Sequence, residues 1–338
     1  MAAPVTFPSI KRFIGFAKET TPGTPVAPAA DMPIEKFDWN DKPNWLEDKA
    51  LRNVMGNDSF NIIQGTTVGE IDMSGPAFGD ELGYILGNMF GTDDTTGASA
   101  PFTHKFSLLN TLSGQPTTHT ITQYYGPEPT HQARQFAGTC FSDLGFTFNA
   151  ESELLMFSAK AISWISNVAA ATPTATFTAT KPLPSWQSVL GIAGPASGGT
   201  QVLNVYKGEF NFKRALMPYF TAQNLQNPYI IQRGGLSVDF KLTFVAADES
   251  PLTYMRNNTQ PQIQFILNNG LTLGNAIVVQ VDMQQAAFTE AKPSFGREAI
   301  EFEVVGKGVF NSTNVGTSAG LGPATVTLQN AIAASTFI

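Results

Sequence analysis

The feature that most constrains this chain is the strict alternation in Leu236-Ser237-Val238-Asp239-Phe240-Lys241-Leu242-Thr243-Phe244. Successive side chains of an extended strand point to opposite faces. Leu236, Val238, Phe240, Leu242 and Phe244 therefore share one side, and Ser237, Asp239, Lys241 and Thr243 the other. A dry side and a wet side mean antiparallel sheet, not a parallel sheet buried on both faces. Further segments of extended character fall at residues 68–73, 118–125, 144–148, 154–162, 202–206, 263–267, 277–283 and 299–305. The 30 Gly and 22 Pro of the 338 residues punctuate them.

Only 14% of the residues are charged, against about 25% in an average soluble protein, while 42% are hydrophobic. A surface so poor in charge is expected to hide part of itself against partners, which predicts oligomerisation. The apolar mass, 26 Phe included, suffices for a large core. No apolar run approaches the roughly 18 residues of a membrane span. Residues 1–8 lack the basic and apolar regions of a secretory signal, and none is expected. The formal charge of -7 argues against gripping nucleic acid through clustered cations. Cys140 stands alone, so no disulfide within the chain is possible; it reads as a small core residue in a reducing compartment.

One helix reads strongly. Over residues 76–90, Phe78, Leu82, Ile85, Leu86 and Met89 recur at helical spacing, with Ser74 or Gly75 as cap, Pro76 in the first turn and Gly91 closing it. Gly79, Gly83 and Gly87 recur every four residues and are expected to let the helix pack closely on a sheet. A shorter helix is expected at 250–257. Each helix follows a strand, and Ile62-Ile63-Gln64 matches Ile230-Ile231-Gln232 at an offset of 168 (232 − 64). Upstream of each triplet lie an aromatic strand, Phe37-Asp38-Trp39 or Phe210-Asn211-Phe212, and a polar, irregular stretch, 40–60 or 213–229. The order of elements suggests tandem duplication. The expected division is an N-terminal arm 1–33, a first unit 34–166, a linker or small insertion 167–200, a second unit 201–310 and a C-terminal arm 311–338.

Catalytic and metal-binding patterns are not found. His104, His119 and His131 lack metal-ligand spacing, and the glycine-rich stretch 194–199 lacks the Lys of a phosphate cradle. Glu70 with Asp72, and Glu301 with Glu303, stand two apart and share a strand face. A glycosidase can use such a pair, but a solvated face is the ordinary reading. No cofactor, metal or catalytic residue is expected, and the profile suits a structural or assembly protein.

The stretch Phe13-Ile14-Gly15-Phe16-Ala17-Lys18-Glu19-Thr20-Thr21-Pro22-Gly23-Thr24-Pro25-Val26-Ala27-Pro28 resembles the opening of tail tube proteins from long-tailed bacteriophages, where a KET-x-x-GT-x-VAP signature leads into the first strand. The run 65–91 is also similar, as is Gly208-Glu209-Phe210-Asn211-Phe212-Lys213-Arg214 with Asn227-Pro228. The likeness covers residues 13–310. It implies a mainly β fold, a sandwich or barrel flanked by a helix. It implies stacked rings of six such folds, forming a hollow tube in the virion tail that conducts the genome into the host. Two folds per chain would make three chains a ring; one fold would require six. Tape measure and tail-end proteins are the other partners the resemblance implies.

Combined with that resemblance, the alternation assigns Glu70, Asp72, Ser237, Asp239, Glu301 and Glu303 to a wet face that lines either the lumen or the outer surface. In the lumen, an acidic wall would repel DNA, which carries one charge per about 1.7 Å, and let it pass without specific binding. Trp45, Leu46, Leu51, Met217, Tyr219 and Phe220 are apolar residues in polar stretches and are expected at ring–ring contacts. Pro22, Pro25 and Pro28 would brace the same contact from the N-terminal arm. The competing reading is a virion decoration or fibre protein that binds a surface glycan; a β-sandwich hydrolase comes third.

Overall fold

A computed structural model describes residues 8–53, 55, 59–125, 133–169, 175–197, 199–270, 276–296 and 298–338. The chain runs β1 (Phe13–Lys18), β2 (Ala30–Met32), β3 (Lys36–Asp48), β4 (Asn61–Pro76), α1 (Leu82–Phe90), β5 (Asp94–Thr96), β6 (Phe102–Phe106), β7 (His119–Tyr124), β8 (Ala133–Asn149), β9 (Met156–Ser163) and β10 (Asn167–Val168). It continues with β11 (Ser188–Ile192), β12 (Gln201–Val202), β13 (Val205–Tyr219), β14 (Ile230–Val245), α2 (Ser250–Arg256), β15 (Ile263–Asn268), β16 (Val278–Met283), β17 (Ala286–Ser294), β18 (Glu301–Gly308) and β19 (Thr325–Asn330).

Eight strands form an antiparallel spine in the order β3-β4-β9-β8-β13-β14-β18-β17. β7, β1 and β2 extend from the N-terminal part of β8, which also pairs with β10. A second sheet runs β12-β11-β15-β16-β19-β6-β5. Neither sheet closes into a barrel, so of the two expected forms the sandwich is the one adopted. The alternation places the core as read: Leu236, Val238, Phe240, Leu242 and Phe244 are all buried. Phe148 and Phe210 of the spine meet Phe265 of the second sheet at ring separations of 4.7 and 5.2 Å. Thr243, expected on the wet side, is buried; it is a short side chain flanked in the ladder by the longer Lys207 and Glu303.

The spine has a recurring order. β3, β4, then α1, β8 and β9 lie side by side as β3-β4-β9-β8; β13, β14, then α2, β17 and β18 lie as β13-β14-β18-β17. The segments 40–60 and 213–229, expected to be irregular, instead supply much of two long hairpins, β3·β4 and β13·β14. The expected arms and linker also carry paired strands. β1 pairs with β7, β11 lies between β12 and β15, and β19 lies between β16 and β6.

α1 starts at Leu82 rather than 76, because β4 runs through Pro76 and the Ala77 N–H bonds to Leu155 O at 2.8 Å. Gly91 ends it in the left-handed conformation, φ 92°. The glycine stripe serves the C-terminal segment as much as a sheet. A Cβ on Gly83 would lie 2.4 Å from the Phe337 ring, one on Gly87 2.7 Å from Ile338, and one on Gly79 2.1 Å from Ile277. Phe337 is fully buried edge-on to Tyr84 and His104, and its carbonyl accepts from His119 Nε2 at 3.0 Å. Lys18 Nζ donates to Ser335 O and Ile338 O.

Phe337→Ala should therefore destabilise the fold by about 3–5 kcal/mol through cavity formation. Gly83→Val should cost a comparable amount by displacing the same ring. In thermal or denaturant unfolding, the double variant should lose less than the two single losses added together, because both remove one contact.

Candidate assembly surfaces

All six residues expected on the wet side lie on the same face of the spine. The ladder carries that face across strands through Asp72, Lys160, Asp143 and Lys213, directly opposite one another in sequence of strands. Asn211 then faces Asp239, and Asp239 faces Lys307. This corrects the expectation of an acidic wall, since lysines alternate with the carboxylates. Like charges directly opposite cost energy on a sheet and unlike charges stabilise it. Asp38 and Asp72 do face each other, and Lys36 Nζ bridges them at 3.3 and 3.4 Å. Lys42 pairs with Glu70, Lys213 Nζ stands 3.6 Å from Asp239, and Glu290 pairs with Lys292. Ser237 is exposed, whereas Glu301 is buried at the far end of the face and Glu303 sits opposite Lys292.

The long hairpins reach beyond the spine. β9 pairs with β4 only over 69–76, and β8 pairs with β13 only over 207–213. The remaining ends therefore pair within their own hairpins. They lie side by side: Thr67 N–H donates to Gln226 O at 3.0 Å, and Gln226 Nε2 to Gln64 O at 3.3 Å. Trp45, Leu46, Met217 and Tyr219 are strand residues here, while Leu51 and Phe220 lie in the connections. All six are exposed, Leu51 completely. Sequence reading missed their partners Ile62, Ile63, Tyr229 and Ile230, which are exposed as well. Leu46 stands opposite Ile63, and Tyr219 opposite Ile230.

The segment holding Pro22, Pro25 and Pro28 is fastened to its own chain rather than extended as an arm. The buried Glu19 carboxylate accepts from Gly23 N, Thr118 Oγ1, Thr120 Oγ1 and Gly138 N at 2.6–2.8 Å. Thr120 Oγ1 accepts from Val26 N, and Pro28 lies against Gly15. Pro22 and Pro25 remain exposed.

Two buried arginines, also missed, fix the base of the second hairpin. Arg214 donates to Met89 O at the end of α1 (2.6 Å), Gly234 O (2.9 Å) and Gly114 O (3.2 Å). Arg233 donates to Pro116 O (2.6 Å), Thr117 O (3.2 Å) and Asn88 Oδ1 (3.3 Å). Burial lowers both guanidinium pKa values, that of Arg214 to about 10. Asn88 Nδ2 lies 2.9 Å from His119 Nδ1. Burial, chiefly, and the nearby Arg233 hold His119 down at about 4. His104, buried, bonds Asp93 at 2.9 Å and Ile332 O at 2.8 Å, a structural arrangement. His131 lies outside the described residues. Among the described residues no group of His, Cys, Asp or Glu could hold a metal ion, and Cys140 is buried. No helix among them is long and apolar enough to cross a membrane.

An open-edged antiparallel sandwich with apolar hairpin ends and a polar, charge-alternating sheet face has the features of a self-associating structural protein. The family model described as phage tail tube protein matches residues 9–329, and the chain belongs to that family. Its role is therefore structural, in the tail of a phage virion. No curated protein matches the chain.

Glu81 gives a pH test of this interior. Burial, then the neighbouring Asp80, pushes its carboxyl up to about 8 from an ordinary 4.5. A raised carboxyl favours the folded state's proton, so stability is greatest below pH 4.5 and falls as pH rises through about 8. Glu81→Gln should remove that fall. In denaturant titrations it should match the parent near pH 4 and exceed it at pH 9, by on the order of a few kcal/mol.

Proposed function

We propose that copies of this chain form rings that stack into a hollow tail tube, and that the phage genome passes through its bore to the host. The observation that carries this reading is the pair of parallel-lying hairpins. Their apolar ends emerge together from one end of a sheet whose outer face is polar. Exposed apolar residues on hairpin ends are stable in the virion only when a neighbour covers them. A ring above or below supplies that neighbour, with Leu46, Ile63, Tyr219 and Ile230 at the contact.

The wet face of the spine lines the bore in this reading. Alternating Lys and Asp or Glu offer no basic stripe to hold phosphates, and no strong negative field to bar them. Duplex DNA slides past such a wall without forming the multiple phosphate contacts that arrest it. The recurring four-strand order supports two tube folds per chain, the division expected from sequence, and hence three chains to a ring of six folds.

Leu46→Glu with Ile63→Glu should leave the fold and the ring intact, since both side chains are half exposed, and should abolish stacking. Negative-stain micrographs of the parent should show tubes or rings of constant width. The variant should show single rings, with tube mass reduced at least tenfold. A parent that stays a discrete monomer at high concentration would contradict the proposal.

A further inference from the structure

The two halves of the spine agree beyond their strand order, down to their β-bulges. In β3·β4 the ladder passes from Pro43↔Thr67 to Trp45↔Gln64; in β13·β14 it passes from Arg214↔Leu236 to Leu216↔Arg233. Each skips one residue on the first strand and two on the second. A second bulge recurs in the same way. β8·β9 passes from Phe141↔Ala161 to Asp143↔Lys160, and β17·β18 from Phe288↔Gly306 to Glu290↔Val305. Superposing the bulges matches Lys42 with Lys213, Glu70 with Asp239 and Asp143 with Glu290. The ion pairs Lys42–Glu70 and Lys213–Asp239 then coincide. The matches are mutually consistent across the sheet: Glu70 faces Ile162 in one half, and Asp239 faces Lys307 in the other.

Inside the chain the halves meet at β8·β13, where Asp143 faces Lys213 and Thr147 faces Glu209. Among the described residues the outer sides of β17 and β3 pair with no strand. These are the counterparts of β8 and β13. Open edges of this length invite pairing. Their chemistry is complementary, because the internal Asp143–Lys213 position becomes Glu290 on one edge and Lys42 on the other. Phe295, just past β17, is 72% exposed, yet its internal counterpart Phe148 is buried on the dry side. Pro293 removes at most one ladder hydrogen bond.

We propose that β17 of one copy pairs antiparallel with β3 of a second copy in the register used at β8·β13. Glu290 then faces Lys42, Ser294 faces Asp38, and Phe295 is covered beside Phe37. The proposal rests on the ring reading above and fixes its contact residue by residue. Every boundary around the ring, within a chain or between chains, becomes the same junction.

Directly opposite residues in an antiparallel ladder have Cα atoms about 4.5–5.5 Å apart, within disulfide reach. Lys42→Cys and Glu290→Cys alter half-exposed edge side chains, while the native Cys140 is buried. An equal mixture of the two single variants, mildly oxidised, should give covalent dimers. The double variant should give a ladder on a non-reducing gel. A control pairing Lys42→Cys with Ser294→Cys places the thiols four residues off, roughly 13 Å apart, and should yield at least tenfold less dimer. Negative stain of the same samples separates the two levels of the argument. Rings with crosslinks equal or stronger in the control, or absent, overturn the register. Dimers from Glu290→Cys alone overturn it too, because they mean a two-fold β17·β17 contact. Failure of the parent to form rings brings down the ring reading, and this junction with it.

Discussion

The antiparallel junction between β8 and β13 is the interaction on which the rest of this architecture depends. It merges two four-strand groups into one spine, and its register decides which residue of each half faces which. Because the period of a strand is two, a slip of one residue there would turn the second half's Phe210 and Phe212 to solvent and its lysines into the core. The junction is held by a dry row behind it, where Phe146 and Phe148 lie beside Phe212 and Phe210. On the wet side Asp143 faces Lys213.

Buried polar groups then tie the periphery to this frame. Among the described residues, the hydrogen bonds of Arg214 and Arg233 run to carbonyls and to Asn88, with no carboxylate among the acceptors. Asn88 also donates to Thr139 O and accepts from Phe141 N, linking α1 to β8. Removing one member of such a network strands the others without solvent, so its members depend on one another. Hairpin direction, helix position and the C-terminal segment held by His119 are all set by it. The hairpin ends, by contrast, carry exposed apolar side chains.

Strand identity and the dry face were legible wherever alternation is clean, above all in β14. The hairpin ends were not, since they pair only within their own hairpin and sit in water on several sides. Their sequences, such as Trp45-Leu46 and Ile62-Ile63, lose the two-residue period. The Ile-Ile-Gln match gave an offset of 168 and would align Ile71, which is buried, with Asp239, which is not. The bulge-based match aligns Glu70 with Asp239, an offset of 169 (239 − 70), and keeps every side chain on its face. The glycine stripe was visible, but its occupant was not: Phe337 lies some 250 residues downstream (337 − 83 = 254). Lys241 was legible on the wet face from β14 alone, but Lys160, Lys213 and Lys307 come beside the carboxylates only through the ladder. The full alternation of charge emerges only when neighbouring strands are set side by side. Arg233, in Gln-Arg-Gly-Gly, carries no sequence signal of burial.

In the proposed tube, one sheet face, built from two like halves per chain, surrounds a common bore. A cryo-EM reconstruction of one ring tests it most directly. Three chains should surround the axis, with three-fold symmetry, nearly six-fold repetition of the four-strand group, and Asp72, Lys160 and Asp239 facing inward. Six chains around the axis, or those residues on the outer wall, would contradict it.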